Sequence, residues 1–207
     1  VLAIVQAFLL LLGCAPKFQL ICGHVYMLAF HYHNKIIWDG EDVMFRLWSF
    51  FLLFLPLHRI TIYDGFGRLT REEQKKTDTW PIWPFRLWQL ELCFIYAGAG
   101  FGKLSNERWQ NGTAMYYISH EQDFFGGPFT PDFLFNRIGP LKLMTWASAL
   151  LECTCIVTIW PISTRMITLV SMIGLHLGIE LSMNMHCFEW LSILGWIIFL
   201  VEPLKES

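Results

Sequence analysis

Charged residues are scarce in this sequence: Asp, Glu, Lys and Arg make up 15% of 207 residues, against roughly 25% in soluble domains. The net charge is −2 and no basic stretch dominates, so the footprint that nucleic-acid binding needs is missing. An apolar content of 55% excludes intrinsic disorder. The six cysteines contain no CxxC pair and no zinc-ligand spacing. Cys14, Cys22, Cys93, Cys153, Cys155 and Cys187 therefore read as small core residues, and no metal is assigned. Period-two alternation is absent as well, which argues against strands crossing lipid. No repeat of fixed period is visible.

What the sequence does have is apolar blocks separated by polar punctuation. A bilayer core needs about 20 mostly apolar residues per helix. By that measure spans are expected at 1–13, 18–31, 43–57, 82–101, 141–160, 166–183 and 188–201. The expected fold is all-α: a polytopic membrane helix bundle of six to seven spans. Val1 opens inside an apolar block, so the first span reads as truncated, with at least one further helix expected upstream. Residues 64–80 form a charged, solvated loop. The segment 104–140 is rich in aromatics and glycine, which suits an interfacial or re-entrant segment over the mouth of the bundle. Within it a short helix is expected from Pro131, capped by Thr130 and stopped by Gly139-Pro140. If the spans alternate, nine of the 15 Lys and Arg fall on the side of the 64–80 loop. That bias places 64–80 in the cytoplasm and 104–140 outside, in a multi-pass protein of the plasma (inner) membrane.

Charges inside hydrocarbon cost at least about 2.5 kcal/mol at a helix centre. Arg46, Glu91, Lys103, Glu152, His176, Glu180 and Glu189 therefore stand out. His176 and Glu180 are four apart and share a helix face. They read either as a proton relay or metal-ligand pair, or as a hydrogen-bonded pair joining helices. Glu91 and Glu152 read as neutral, or as paired with Arg46 or Arg86. Lys103 ends its span after the small-residue run Ala97-Gly98-Ala99-Gly100, which lets a helix or a flat ligand approach the backbone. Its amine either snorkels and complements the helix C-terminus, or is desolvated enough to accept a proton. The acidic turn Asp39-Gly40-Glu41-Asp42 suits a helix N-terminus, with a cation or basic partner as the other reading.

Around Lys103 a family pattern emerges. Trp83-Pro84, Tyr96, Gly100, Gly102-Lys103-Leu104, Trp109, Gly112 and Ala114 resemble the horizontally transferred transmembrane (HTTM) domain, the family that includes the vitamin K-dependent γ-glutamyl carboxylase. Asn34, Gly40-Glu41-Asp42 and Arg46 resemble its bacterial branch, and His176 followed by Phe188 resembles its late His-containing span. The resemblance runs from about residue 34 to 201. It implies one HTTM-like transmembrane domain over 1–203, with 204–207 as a tail.

The resemblance also implies a chemistry. Lys103 would be the base that deprotonates reduced vitamin K or a related quinol, with His176 and Glu180 catalytic beside it. The quinol anion reacts with oxygen to give an epoxide and a strong base that takes the γ-proton of a glutamate in a protein substrate, and carbon dioxide adds. Tyr96, Gly100, Trp109 and Glu41 would be substrate-binding. Asp39-Gly40-Glu41 stands where the carboxylase has an Asn-Asn-His element, and Gly102 where it has a second lysine. The alternative is a non-catalytic lipid- or quinone-binding module, or a helper subunit in the lipid membrane. On the catalytic reading, Lys103, His176 and Glu180 are expected to converge on one cavity open toward 104–140.

Overall fold

The computed structural model describes residues 1–33, 40–55, 82–121, 125–185 and 187–200, and every named element among them is an α-helix. The elements are α1 (Leu2–Leu11), α2 (Pro16–His33), α3 (Gly40–Leu52), α4 (Trp83–Leu104), α5 (Glu107–Gln110), α6 (Ala114–Ile118), α7 (Asp132–Phe135), α8 (Ile138–Thr158), α9 (Ile162–Ser182) and α10 (Phe188–Ile197). The charged 64–80 loop lies outside the described residues, as do Asn34 and Asp39. Two compact units divide the chain, one over 1–88 and the other over 89–201.

In the first unit, α1 ends in a Schellman motif: Gly13, at φ 76°, donates to Leu10 O, and Cys14 donates to Leu9 O. Pro16 then opens α2, where its missing N–H costs nothing. The helices α2 and α3 are joined by polar pairs. His31 Nε2 lies 2.8 Å from Asp42 Oδ1, and His24 Nδ1 lies 2.7 Å from Ser49 Oγ. Leu20 and Leu55 form a small core with Leu10, Leu52, Phe85 and Trp88 around it. Asp42, expected at a helix N-terminus, does sit in the first turn of α3 with Glu41.

The second unit is built on α8, α9 and α10. Its helices bury polar side chains among apolar ones and turn an apolar face outward. On α8 the buried residues are Leu141, Thr145, Ser148, Ala149, Glu152 and Cys155, while Leu143, Leu150 and Val157 face outward. On α9, His176 and Thr168 are buried, whereas Ile167, Val170, Leu177 and Leu181 are exposed. Water-soluble domains do not expose apolar surface on this scale, and lipid is the solvent such a surface suits. By length and hydropathy α8 and α9 can cross a membrane; α1 and α10 are apolar but only ten residues long. The wider set of six to seven spans is met at that standard by these two helices among the described residues.

The 104–140 segment lies against α8. Met115 N donates to Thr145 Oγ1 at 3.1 Å and Trp146 Nε1 to Gln110 O at 3.1 Å. Gly112 adopts φ 72°, and a Cβ there would meet Trp146 at 3.0 Å. Further on, the backbone crosses the end of α9: Gly126 and Gly127 both donate to Ser182 O, and Phe129 donates to Leu181 O. These bonds satisfy carbonyls that a helix end otherwise leaves without partners. The expected helix at Pro131 is present as α7, with Pro131 rather than Thr130 at its N-cap. Gly139-Pro140 does not stop it. Both residues lie in the first turn of α8, where proline is tolerated because the first N–H groups have no intrahelical partner.

Candidate functional site

The face of α4 within the second unit carries Gln89, Tyr96 and Lys103 seven residues apart, a spacing that keeps them on one side of a helix. Each reaches a different element. Gln89 Nε2 donates to Ile198 O at 3.2 Å, beyond the end of α10. The Tyr96 hydroxyl lies 2.5 Å from His176 Nε2 on α9. Lys103 Nζ donates to Glu152 Oε1 on α8. Gln89, Tyr96 and Lys103 thus tie α4 to the end of α10, to α9 and to α8.

The approach of α4 to α8 depends on Gly100, which lies between Tyr96 and Lys103 on that face. A Cβ there would sit 2.7 Å from Cys153 Sγ and 3.0 Å from the Glu152 carbonyl carbon. The space beside Gly100 is filled by a neighbouring helix. At Gly98 and Gly102, by contrast, an added Cβ would meet nothing within 4 Å.

Lys103 and Glu152 form an ion pair whose side chains are 24% and 5% exposed. The Trp109 ring, in α5, lies 4.8 Å from Nζ, an arrangement worth about 0.5–2 kcal/mol toward a cation. Glu152 Oε2 is buried and has no hydrogen-bond partner. Glu152 lies 14 residues into α8, whose first residue is Ile138. At the usual rise per residue this is about 21 Å from the start of that helix. The pair therefore meets α8 well inside its length, although Lys103 closes α4.

Opposite Tyr96, two turns back along α4, His176 of α9 is 2% exposed and has both ring nitrogens engaged. Nε2 faces Tyr96, and Nδ1 is paired with Glu189 Oε2 on α10. Glu189 is 1% exposed. Tyr96 also lies against Trp196, with ring centroids 4.9 Å apart. Glu180 shares the helix but not the partner: its Oε1 accepts from Trp190 Nε1 at 2.8 Å, and its Oε2 is buried without a partner. The expected His176–Glu180 pair is thus replaced by His176–Glu189. Glu41 belongs to the first unit, where it is half-buried in the first turn of α3.

Two of these pairings escape a reading by spacing. Glu152 is 49 residues from Lys103 and Glu189 is 13 from His176, so each pairing depends on how helices dock. The seven-residue spacing of Gln89, Tyr96 and Lys103 was the signal available for the shared seam.

The model of the HTTM domain matches residues 1–203. The chain belongs to the HTTM domain family. Neither the curated proteins nor the solved structures contain a match to it. Membership of a transmembrane family agrees with the apolar exterior of this HTTM chain and with α8 and α9 as membrane helices.

Proposed function

We propose that this HTTM protein is carboxylase-like and that Lys103 takes a proton from reduced vitamin K or a related quinol. The observation that carries the reading is the setting of the amine, three-quarters covered, beside a buried carboxylate and an indole ring. The surroundings fit a flat apolar hydroxyl donor. The backbone at Gly102 has open space beside it, and Phe101 and Leu104 present exposed apolar surface. A bound quinol supplies the reducing power for reaction with oxygen, the step that in the carboxylase leads to glutamate deprotonation in a protein substrate. In this chain Lys103, in its neutral form, accepts the proton at Nζ, Trp109 and Glu152 orient the amine, and the apolar neighbours keep water away from it. Tyr96 and His176, held by Glu189, fix the α4 face from which Lys103 projects. Glu180, with one buried oxygen unbonded, is a further candidate near α10.

In this reading one transmembrane domain covers 1–203, six to seven spans cross the plasma membrane, 64–80 faces the cytoplasm and 104–140 lies outside. The test is oxygen consumption by the membrane-reconstituted protein supplied with reduced naphthoquinones. Lys103→Ala is expected to abolish quinol epoxidation, and epoxidation that survives it overturns the assignment.

A second reading has its own observation. Lys103 is already paired, and Gly100 beside it packs α4 onto α8, as a non-catalytic quinone- or lipid-binding module would require. Quinone binding that survives Lys103→Met, with no oxygen uptake by the unaltered chain, favours that module.

A further inference from the structure

We infer that residues 105–111 line a water-filled recess in the membrane. It reaches from the membrane surface at the start of α8 down to Trp109, and gives water-dissolved reactants a route to Lys103 separate from the lipid. The inference needs no quinol and goes beyond the reading of Lys103 as a base.

The membrane level follows from α8 and α9. Each has 21 residues, a length of about 31 Å, against a hydrocarbon core of about 30 Å. None of the exposed residues of either helix is charged, and Ile138, Leu143, Leu150 and Val157 carry the apolar outer face of α8 from its first turn to its last. Lipid therefore covers α8 along its length, and Ile138 stands at one membrane surface. Residues 105–111 lie below that surface. Gln110 O accepts from Trp146 and Met115 N donates to Thr145, which puts both contacts about 10–12 Å from the start of α8. Lys103 meets Glu152 deeper still.

Hydrocarbon does not tolerate what lies at that depth. Ser105, Asn106, Glu107, Arg108, Gln110 and Asn111 are all exposed. The backbone leaves the helical region at Asn106, with φ −99° and ψ 129°, and again at Gly112. Irregular backbone at membrane depth persists only inside protein or beside water, and these exposed residues are not inside protein. Glu107 and Arg108 add two exposed charges, neither of them in an ion pair among the described residues. Arg108 rests instead on the Tyr117 ring at 4.3 Å. Water is the solvent that suits both the loose backbone and the charges. The Trp109 ring, 4.8 Å from Lys103 Nζ, is the floor of the recess. Phe101 and Leu104 present apolar surface on either side of Lys103 in sequence. A molecule dissolved in lipid and one dissolved in water can thus both arrive at this amine.

The experiment is cysteine labelling of the chain in phosphatidylcholine nanodiscs with a permanently charged reagent, 2-(trimethylammonio)ethyl methanethiosulfonate. Labelling is read at each introduced cysteine by peptide mass spectrometry, so the native thiols do not interfere. Ser105→Cys and Glu107→Cys place the thiol in the recess, and Leu143→Cys and Leu150→Cys place it on the outer face of α8. All four positions are exposed, so the fold tolerates the changes. The first two are expected to react at least about 50-fold faster than the other two, the factor by which hydrocarbon excludes a charge. Reaction at Ser105→Cys or Glu107→Cys as slow as at Leu150→Cys overturns the proposal, because the turn would then lie in lipid. Fast reaction at Leu143→Cys or Leu150→Cys overturns it too, because that part of α8 would stand outside the membrane and the turn would lie at its ordinary surface. The expected pattern without quinol-dependent oxygen uptake leaves the recess standing and removes the quinol reading alone.

Discussion

Gly100 of α4 lies so near Cys153 of α8 that a Cβ on Gly100 would come within 2.8 Å of the Cys153 backbone nitrogen. Lys103, three residues further along α4, is thereby brought beside Glu152. Close backbone contact of this kind is what small residues give membrane helices, where lipid supplies no hydrophobic drive for association.

Gly100→Ala should therefore push α4 from α8, because the obstructing atoms include backbone and cannot swing aside. A cost of about 1–3 kcal/mol is expected, as for overpacking elsewhere. The measurement is the thermal midpoint of the detergent-solubilised protein. Gly98→Ala and Gly102→Ala serve as controls, since neither new methyl meets a neighbour within 4 Å. Equal loss in all three variants would mean that helix propensity or the lipid-facing surface matters more than the α4–α8 contact.

Tyr96, His176 and Glu189 should behave as one unit. Tyr96→Phe leaves His176 Nε2 buried without its partner, at a cost of about 1–3 kcal/mol. Glu189→Gln weakens the bond at the other ring nitrogen. Because both changes act through one imidazole, their combined effect should differ from the sum by at least about 0.5 kcal/mol. A double-mutant cycle in a denaturation assay measures this, and strict additivity would show that the two bonds are independent.

The helical architecture was largely legible from the lengths of the apolar runs, because a backbone in lipid must satisfy its own hydrogen bonds and the helix does so locally. The run ending at Lys103 and the one containing His176 both appear as helices within a few residues of the expected limits. Partners were less legible. Four-residue spacing placed Glu180 on the face of His176, but it cannot say which group across the α9–α10 hairpin meets the ring, and Glu189 does. The stop expected at Gly139-Pro140 failed for a related reason: proline breaks a helix interior but opens a helix readily. Cys187, read as a core residue, is exposed beside the start of α10.

Gly127→Ala should loosen the backbone laid over the end of α9. Its Cβ would come 2.4 Å from Leu181 O, and the bonds from Gly126, Gly127 and Phe129 to Leu181 and Ser182 would lengthen together. Hydrogen exchange at these three amides should accelerate while exchange in the middle of α8 stays unchanged. Unchanged protection at 126–129 would show that the segment is held by its side chains.

The Lys103–Glu152 pair makes a further prediction about stability that is independent of catalysis. Lys103→Met keeps a long apolar side chain against Trp109 but leaves a buried carboxyl with neither oxygen bonded, since Oε2 already lacks a partner. Removing one member of a buried pair typically costs about 3–5 kcal/mol, whereas replacing both by uncharged groups of similar volume is often neutral or stabilising. Lys103→Met alone should therefore lower the thermal midpoint clearly, and adding Glu152→Gln should recover much of the loss. Recovery would locate the penalty in the stranded carboxyl. A double variant as unstable as the single one would instead assign the loss to packing around Trp109 and the end of α4.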